Sequence, residues 1–451
     1  MTSLLTRGGR PAPPVAAVHL GLGGFFRAHQ AVYTELAPDA SEWGYAAFTG
    51  RRPGLAERLT AQDGLYTLLR RGADGDRADI VGCLARAGAG TDTAAWLAAV
   101  ADPAVRLLTL TVTEAAYHRG AHGGLDLDAP DVAADLAALR DGALERCHSV
   151  PGRLVAALAV RARAGAGPLA VVPCDNLPDN GTAVRRVVVD LATEALPVES
   201  LAWIEAHVSF VDSEVDRITP RTTEADLAAA RALTGRDDAC PVVTEPFTEW
   251  TLAGDFPAGR PAWEHAGARF VEDVTPYQTR KLWLLNGAHS LLAYAAGAVG
   301  HRSVAEAIDD PRCRAWVEAW WDEAAPHLTT ETGDYRAALL ARFGNPRIRH
   351  LLAQVAADGS QKLPVRVLPV VRAERAAGRT AVAGARALGA WVAHLRGHGV
   401  PVTDPRADEL RTLAAGPLAD AVPRVVATLD PTLPDDGDLV AVITHHTEEL
   451  M

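Results

Sequence analysis

The sequence predicts an α/β protein with an N-terminal domain built on a parallel sheet and a mainly α-helical C-terminal domain. Three observations carry this. A short apolar strand runs into a glycine-rich turn and a helix near the N-terminus. Further apolar runs then alternate with helical stretches, the pattern of strand–helix–strand units. From about Pro276 the strands give way to helix after helix. The predicted division is 1–275 and 276–451.

Size and composition agree with two soluble domains. A chain of 451 residues is long for one hydrophobic core, and 48% apolar with 22% charged residues is ordinary for a globular protein. With 44 basic against 56 acidic residues, neither nucleic acid nor an anionic membrane surface is the expected partner. The five cysteines, Cys83, Cys147, Cys174, Cys240 and Cys313, have no CxxC spacing. They suit neither a disulfide scaffold nor a zinc site, and fit a reducing cytoplasm. There is no signal pattern and no apolar run long enough to span a bilayer.

Residues 1–14, rich in Gly and Pro, read as a loose leader. The strand Val15 to Leu20 follows, then Gly21, Gly23 and Gly24, and a helix opening near Phe26. Such a turn brings backbone N–H groups and a helix N-terminus to a pyrophosphate, although Arg27 stands where a third glycine is usual. The alternative is a plain tight turn. A second strand, Gly44 to Thr49, ends in Gly50, Arg51 and Arg52. No acid stands there to bind the ribose of NAD, and arginines tolerate a 2′-phosphate, so NADP is possible.

Three later runs end in polar groups. RLLTLTV meets Thr113 and Glu114, with Tyr117 and His118 behind; LAVVPC meets Asp175 and Asn176; HVSFV leads to Asp216 and Arg217. Helices are expected from Asp131 to Leu139 and from Gly181 to Leu196. In a parallel sheet the ligand crevice lies at the carboxyl ends of the strands, where these clusters fall. Each alone would suit a cap or a turn.

In the second domain helices are expected over Tyr277–Ala298, Ser303–Ile308, Cys313–Ala325, Asp334–Phe343, Arg347–Ala357 and Gly384–Arg396. The first carries KLWLLNGAHS, with Lys281, Asn286 and His289. At ~100° per residue His289 lies ~80° and Asn286 ~140° around from Lys281, so the three heads can converge on one small ligand. A desolvated lysine can act as a general base, while Asn and His donate to an oxygen that gains charge. A solvated lysine, a packing asparagine and a satisfied histidine would give the same string.

These motifs together resemble the mannitol dehydrogenase family of polyol-specific long-chain dehydrogenases and reductases. The carriers, in order, are GLGGFFRAHQAVY, AQDGLYTLL, TVTEAAYH, CDNLPDNG, VDRITP, EPFTEW, GRPAWEHAGARFVEDV, KLWLLNGAHS and DGSQKLPVR. The resemblance implies a Rossmann-like N-terminal domain and an NAD(P)-dependent, metal-independent oxidoreductase of sugar alcohols or sugar acids. It makes Lys281 the general acid/base, with Asn286 and His289 on the substrate oxygen and Asn176 in the same oxyanion region. Asp216 and Arg372 match substrate-pocket positions, and Gly21, Gly23, Gly24, Phe25 and Arg27 would hold the pyrophosphate, with Thr113 and Glu114 beside the cofactor. Two departures stand out: Gln278 replaces a frequent glutamate three residues before the lysine, and the chain is somewhat short for the family.

DGSQKLPVR places Lys362 and Arg366 ahead of Arg372, cations that a sugar acid would need. Its wording is closer to the fructuronate reductase branch, which implies D-fructuronate and D-mannonate. Two of these three cations would also suit a surface. Mannitol 2-dehydrogenase, a sugar-phosphate enzyme and a catalytically silent nucleotide-binding homologue are the alternatives. The intact Lys281, Asn286 and His289 argue against the last.

Overall fold

A computed structural model of the chain describes residues 3–50 and 52–451. Arg51, one of the two arginines expected after the second strand, lies outside the described residues. The chain divides into two compact units, one up to Thr275 and one from Pro276.

The first unit is organised by six parallel strands: β1 (Val15–Leu20), β2 (Gly44–Phe48), β3 (Leu84–Gly88), β4 (Leu107–Leu110), β5 (Leu169–Pro173) and β6 (Val208–Phe210). Their spatial order is β3-β2-β1-β4-β5-β6, every pair parallel. This is the doubly wound Rossmann order, and the expected fold class is borne out. The strands are apolar almost throughout because both faces are covered. Alternate side chains go to different cores: Val18, Leu20, Ala46, Phe48, Leu108 and Leu110 to one, Ala17, Tyr45, Ala47, Leu107 and Val172 to the other. From β1 the chain winds outward through β2 to β3, then returns to β4 on the other side of β1. Strands β1 and β4 therefore part at their carboxyl ends and open a crevice.

His19, buried at the centre of β1, is reconciled by side-chain hydroxyls. Its Nδ1 lies 2.8 Å from Thr109 Oγ1 and its Nε2 3.0 Å from Thr111 Oγ1. Burial pulls its pKa down to about 3, so the ring is neutral. Arg161, in the helix Val150–Ala164, does similar duty at the opposite end of the sheet. Its guanidinium donates to the carbonyls of Val100, Asp102, Val105, Ala166, Gly167 and Pro168, which lead into β4 and β5.

The hairpin Tyr66–Gly72 with Gly75–Val81, the strand β3 and the sheet of Asp212–Asp216, Glu249–Ala253 and Arg269–Phe270 were not expected from the sequence. They are short, and their mixed polar residues give no clear alternation.

The second unit is helical. Its central helix, Val382–Leu395, is buried along nearly its whole length. It lies so close to the last helix, Gly437–Glu449, that a Cβ on Gly389 would come 2.7 Å from the Ile443 carbonyl. The helix expected over Arg347–Ala357 is corrected: only Leu352–Val355 is helical. Asn345 Oδ1 accepts from Arg347 N and Leu351 bridges to Ser303, so side-chain and bridge bonds replace the helical ladder. The helices Gly359–Arg366 and Leu368–Ala376 were not expected, because Pro364 and Pro369 read as breakers. Among the described residues no helix is long and apolar enough to cross a membrane.

Replacing Arg161 by Met is expected to cost ~3–5 kcal/mol, since several buried carbonyls lose their donor at once. Denaturant unfolding measures this. The Michaelis constants of the folded variant should stay at parental values.

Candidate active site

The crevice in the first unit starts at Gly21. Its φ of +105° lies in the left-handed region, and an added Cβ would sit 2.0 Å from the Thr111 carbonyl oxygen. Only glycine fits both demands. The amides of Gly21 and Leu22 donate to the Phe48 carbonyl at 2.9 and 2.8 Å, tying the turn to the end of β2. Thr111 Oγ1 donates to the Gly21 carbonyl at 2.8 Å and ties it to β4. At Gly23 an added Cβ would meet only the Gly21 carbonyl, at 3.4 Å, which leaves the backbone open to a ligand.

The cavity here is about 630 Å³ and is lined by Gly21, Gly23, Gly24, Phe25, Thr113, Glu114 and Asn176 among others. Thr113, Glu114 and Asn176 are exposed at it. A glycine turn at a strand end, the start of a helix and a cavity of this size fit a dinucleotide.

Asn176 is presented by Tyr117 and Asp175, both expected at the strand ends, through a bond between them that the sequence did not show. Asp175 beside it is buried, and Tyr117 donates to its Oδ2 at 2.5 Å. Its Oδ1 accepts from Leu177 N at 3.0 Å. Burial raises the Asp175 pKa, opposed by these hydrogen bonds. Asn180 then clamps the loop to the strand Asp212–Asp216, donating to the Ser213 carbonyl and accepting from its amide. The neighbouring strings TEAAYH and CDN held the signal, since a buried Tyr and Asp at adjacent strand ends can meet.

Arg27 is a correction. Its guanidinium turns inward to the carbonyls of Gly23 and Cys240 and lies over the Tyr66 ring. It shapes the glycine turn from beneath and does not line the cavity. Asp216 is buried at the end of its strand, opposite Glu249, while its neighbour Val215 lines the cavity.

The second unit carries the lysine helix. It runs unbroken from Thr275 to Ala298 but changes winding twice, with π turns over Lys281–Gly287 and Leu292–Ala296. The even 100° spacing assumed from the sequence therefore does not hold. In a π turn hydrogen bonds close on the fifth residue, so Asn286 stands to Lys281 roughly as a fourth residue does in an α-helix. The two share a face, and both are half-buried.

His289, one turn on, is buried, and its Nε2 has no hydrogen-bond partner among the described residues. Its ring packs on Phe343 and edge-to-face on His350, with centroids 4.8 and 4.6 Å away. Burial drives its pKa well below the ordinary value, helped by His350, Arg342 and Arg366, so the imidazole is neutral.

Arg366 belongs to this group. Its Nη1 donates to Ser290 Oγ at 3.3 Å, beside His289. Lys362, one turn earlier on the helix Gly359–Arg366, donates to the Val355 carbonyl at 3.4 Å. Burial and Arg366 lower the Lys362 pKa, partly offset by Asp358 and Asp404. Arg372 does not join them and is the second correction. It is exposed and paired with Asp430, accepting no role a substrate carboxylate could compete for cheaply.

The sequence showed no cluster with metal-ligand spacing, yet folding brings His301, Asp310 and Cys313 within 4.8 Å, and likewise His445, His446 and Glu449. The acids are already engaged. Asp310 pairs with His301 and caps the helix Pro311–Ala324, and Glu449 pairs with His446 and Arg386.

Strand order and glycine turn define a first unit of the dinucleotide-binding type. The mannitol dehydrogenase Rossmann-domain model matches residues 15–265 and its C-terminal-domain model residues 273–451. The chain belongs to the mannitol dehydrogenase family. It is 38% identical to the uncharacterized oxidoreductase YeiQ of Escherichia coli (strain K12), over 96% of this chain and 92% of that one. It is 34% identical to the D-mannonate oxidoreductase of the same organism, with 96% and 92% covered. The structure of Pseudomonas fluorescens mannitol 2-dehydrogenase with NAD and D-mannitol superposes at a TM-score of 0.78 and 34% identity, covering 97% and 92%.

Gly21→Ala is expected to weaken NADH binding at least ~10-fold. Backbone strain of ~1–3 kcal/mol at that φ alone is worth about this factor, before the contact with Thr111 is counted. Fluorescence titration with NADH checks it.

Proposed function

We propose that this enzyme interconverts D-fructuronate and D-mannonate with NAD as coenzyme. The observation that carries the uronate is the group of cations about His289. Arg366 bonds the residue next to His289, Arg342 also bears on that imidazole, and Lys362 stands one turn before Arg366 on the same helix. Such a group favours an anionic substrate over a neutral one. The D-mannonate oxidoreductase among the relatives supports the same choice. D-fructose and D-mannitol are the alternative, favoured by the likeness to the Pseudomonas fluorescens enzyme. Five free, buried cysteines accord with work in a reducing cytoplasm.

Gly21, Gly23 and Gly24 would hold the coenzyme pyrophosphate, with Phe25, Thr113 and Glu114 along the cavity. The bound coenzyme supplies a hydride acceptor at its nicotinamide. Lys281 takes the proton from the carbinol hydroxyl during oxidation and returns it during reduction. Asn286 donates a hydrogen bond to the oxygen as it gains charge. His289, neutral, donates or accepts one hydrogen bond to a neighbouring hydroxyl. Arg366 and Lys362 hold the carboxylate.

Lys281→Ala should lower kcat by ~10²–10⁴-fold with NADH affinity unchanged, as removal of a general base does. Parental turnover across the pH range would take Lys281 out of the mechanism. Arg366→Gln should cost D-fructuronate ~10–100-fold in kcat/KM, the worth of a charge-assisted pair shielded from water, and leave D-fructose nearly untouched. Equal losses on both substrates, or a parent enzyme that prefers D-fructose, would replace the uronate with the neutral ketose. NADPH should be accepted measurably, since Arg52 follows β2 with no acid beside it. Discrimination beyond ~10³-fold, about 4 kcal/mol, would place that arginine elsewhere.

A further inference from the structure

The turn that carries Lys281 and Asn286 is wound as a π-helix, and something must hold it so. An α-helix would offer the carbonyls of Trp283 and Leu284 to the amides of Gly287 and Ala288. Fifth-residue closure moves those carbonyls toward the amides of Ala288 and His289, and the return to α winding drops one amide partner, so a carbonyl there gains from an outside donor. Here the donors come from another helix. Trp320 Nε1 donates to the Trp283 carbonyl and Trp321 Nε1 to the Leu284 carbonyl, both at 2.8 Å. Both tryptophans, adjacent on the helix Pro311–Ala324, are fully buried.

The fit is close. An added Cβ on Gly287 would come 2.7 Å from Trp320 Cζ2, so the ring lies on the turn only because residue 287 has no side chain. Trp321 also reaches Phe343, centroids 6.3 Å apart, and Phe343 packs on His289. One pair of indoles thus touches the backbone under Lys281 and Asn286 and, through one ring, the third polar residue.

We propose that Trp320 and Trp321 are positioning residues whose indole N–H groups hold Lys281–Gly287 in the π form and so keep Asn286 on the face of Lys281. The inference rests on the reading of Lys281 and Asn286 given above. Neither tryptophan touches substrate; both act through the backbone of the turn.

The test replaces each by Phe, which keeps a ring and removes the donor. Trp96→Phe is the control. Its indole is equally buried and donates to the Arg153 carbonyl at 3.1 Å, in the first unit. The assay uses whichever of D-mannonate and D-mannitol the parent oxidises. Trp320→Phe and Trp321→Phe should lose ~10–100-fold in kcat, as misplacement by about an ångström does, with NADH affinity unchanged and the pH profile of kcat displaced. Trp96→Phe should lose comparable thermal stability and keep the parental kcat and profile. Gly287→Ala, which presses the Trp320 ring away, should repeat the tryptophan signature and serves if either Phe variant fails to fold. Parental kcat and profile in these variants, beside an inactive Lys281→Ala, would overturn the positioning role alone. Parental turnover in Lys281→Ala would overturn the lysine's role and this inference with it.

Discussion

The constraint on which both units depend is that a buried carbonyl needs a donor. Unpaired, each costs ~1–3 kcal/mol, so any departure from regular strand or helix must bring its own donor. The first unit meets this with arginines. Arg161 gathers six carbonyls below the sheet, Arg27 takes those of Gly23 and Cys240, and Arg217 donates to those of Ala28 and Glu245. The helical unit meets it with indoles. Arg27 and the indoles support the glycine turn and the lysine helix, whereas Arg161 supports the entries to β4 and β5 at the end of the sheet away from the crevice.

The same economy explains the charge pattern of the helical unit. Cations there divide into those in an ion pair and those whose bonds go to neutral groups. Arg372 is taken by Asp430, Arg375 by Asp436 and Arg379 by Glu374. Arg366 and Lys362 bond only a hydroxyl and a carbonyl in the described contacts, and burial lowers the pKa of each. No acid offsets burial at Arg366, and Asp358 and Asp404 offset it only in part at Lys362, so burying these charges is costly in the free protein and is relieved by an anion.

Much of this was visible in the sequence. The strand Val15–Leu20 and the glycine turn were legible because a parallel strand is apolar on both faces and the turn has a fixed chemistry. Lys281, Asn286 and His289 were found together because one helix carries them. What escaped has physical reasons. The π turns are invisible to periodicity, since they depend on Trp320 and Trp321 more than 30 residues away. Arg27 and Arg372 looked like ligand-binding arginines, and their real partners, the Cys240 carbonyl and Asp430, are set by tertiary packing. The helices after Asp358 hid behind Pro364 and Pro369, each tolerated near a helix end or turn where the missing N–H matters less.

Electrostatics also separate Lys281 from His289 on the lysine helix. His289 is fully enclosed, packed on Phe343 and His350, and faced by Arg342 and Arg366. A second positive charge there is opposed by burial and by its neighbours alike, so its pKa lies far below neutral and it cannot shuttle a proton at ordinary pH. As a neutral ring it can offer or accept a hydrogen bond. Lys281 is half-buried and two turns away on the same helix, so it keeps a route to water that His289 lacks. In the reaction proposed above a proton must leave the site in one direction and enter in the other, and of the two groups it is the half-buried lysine that has the open route this needs.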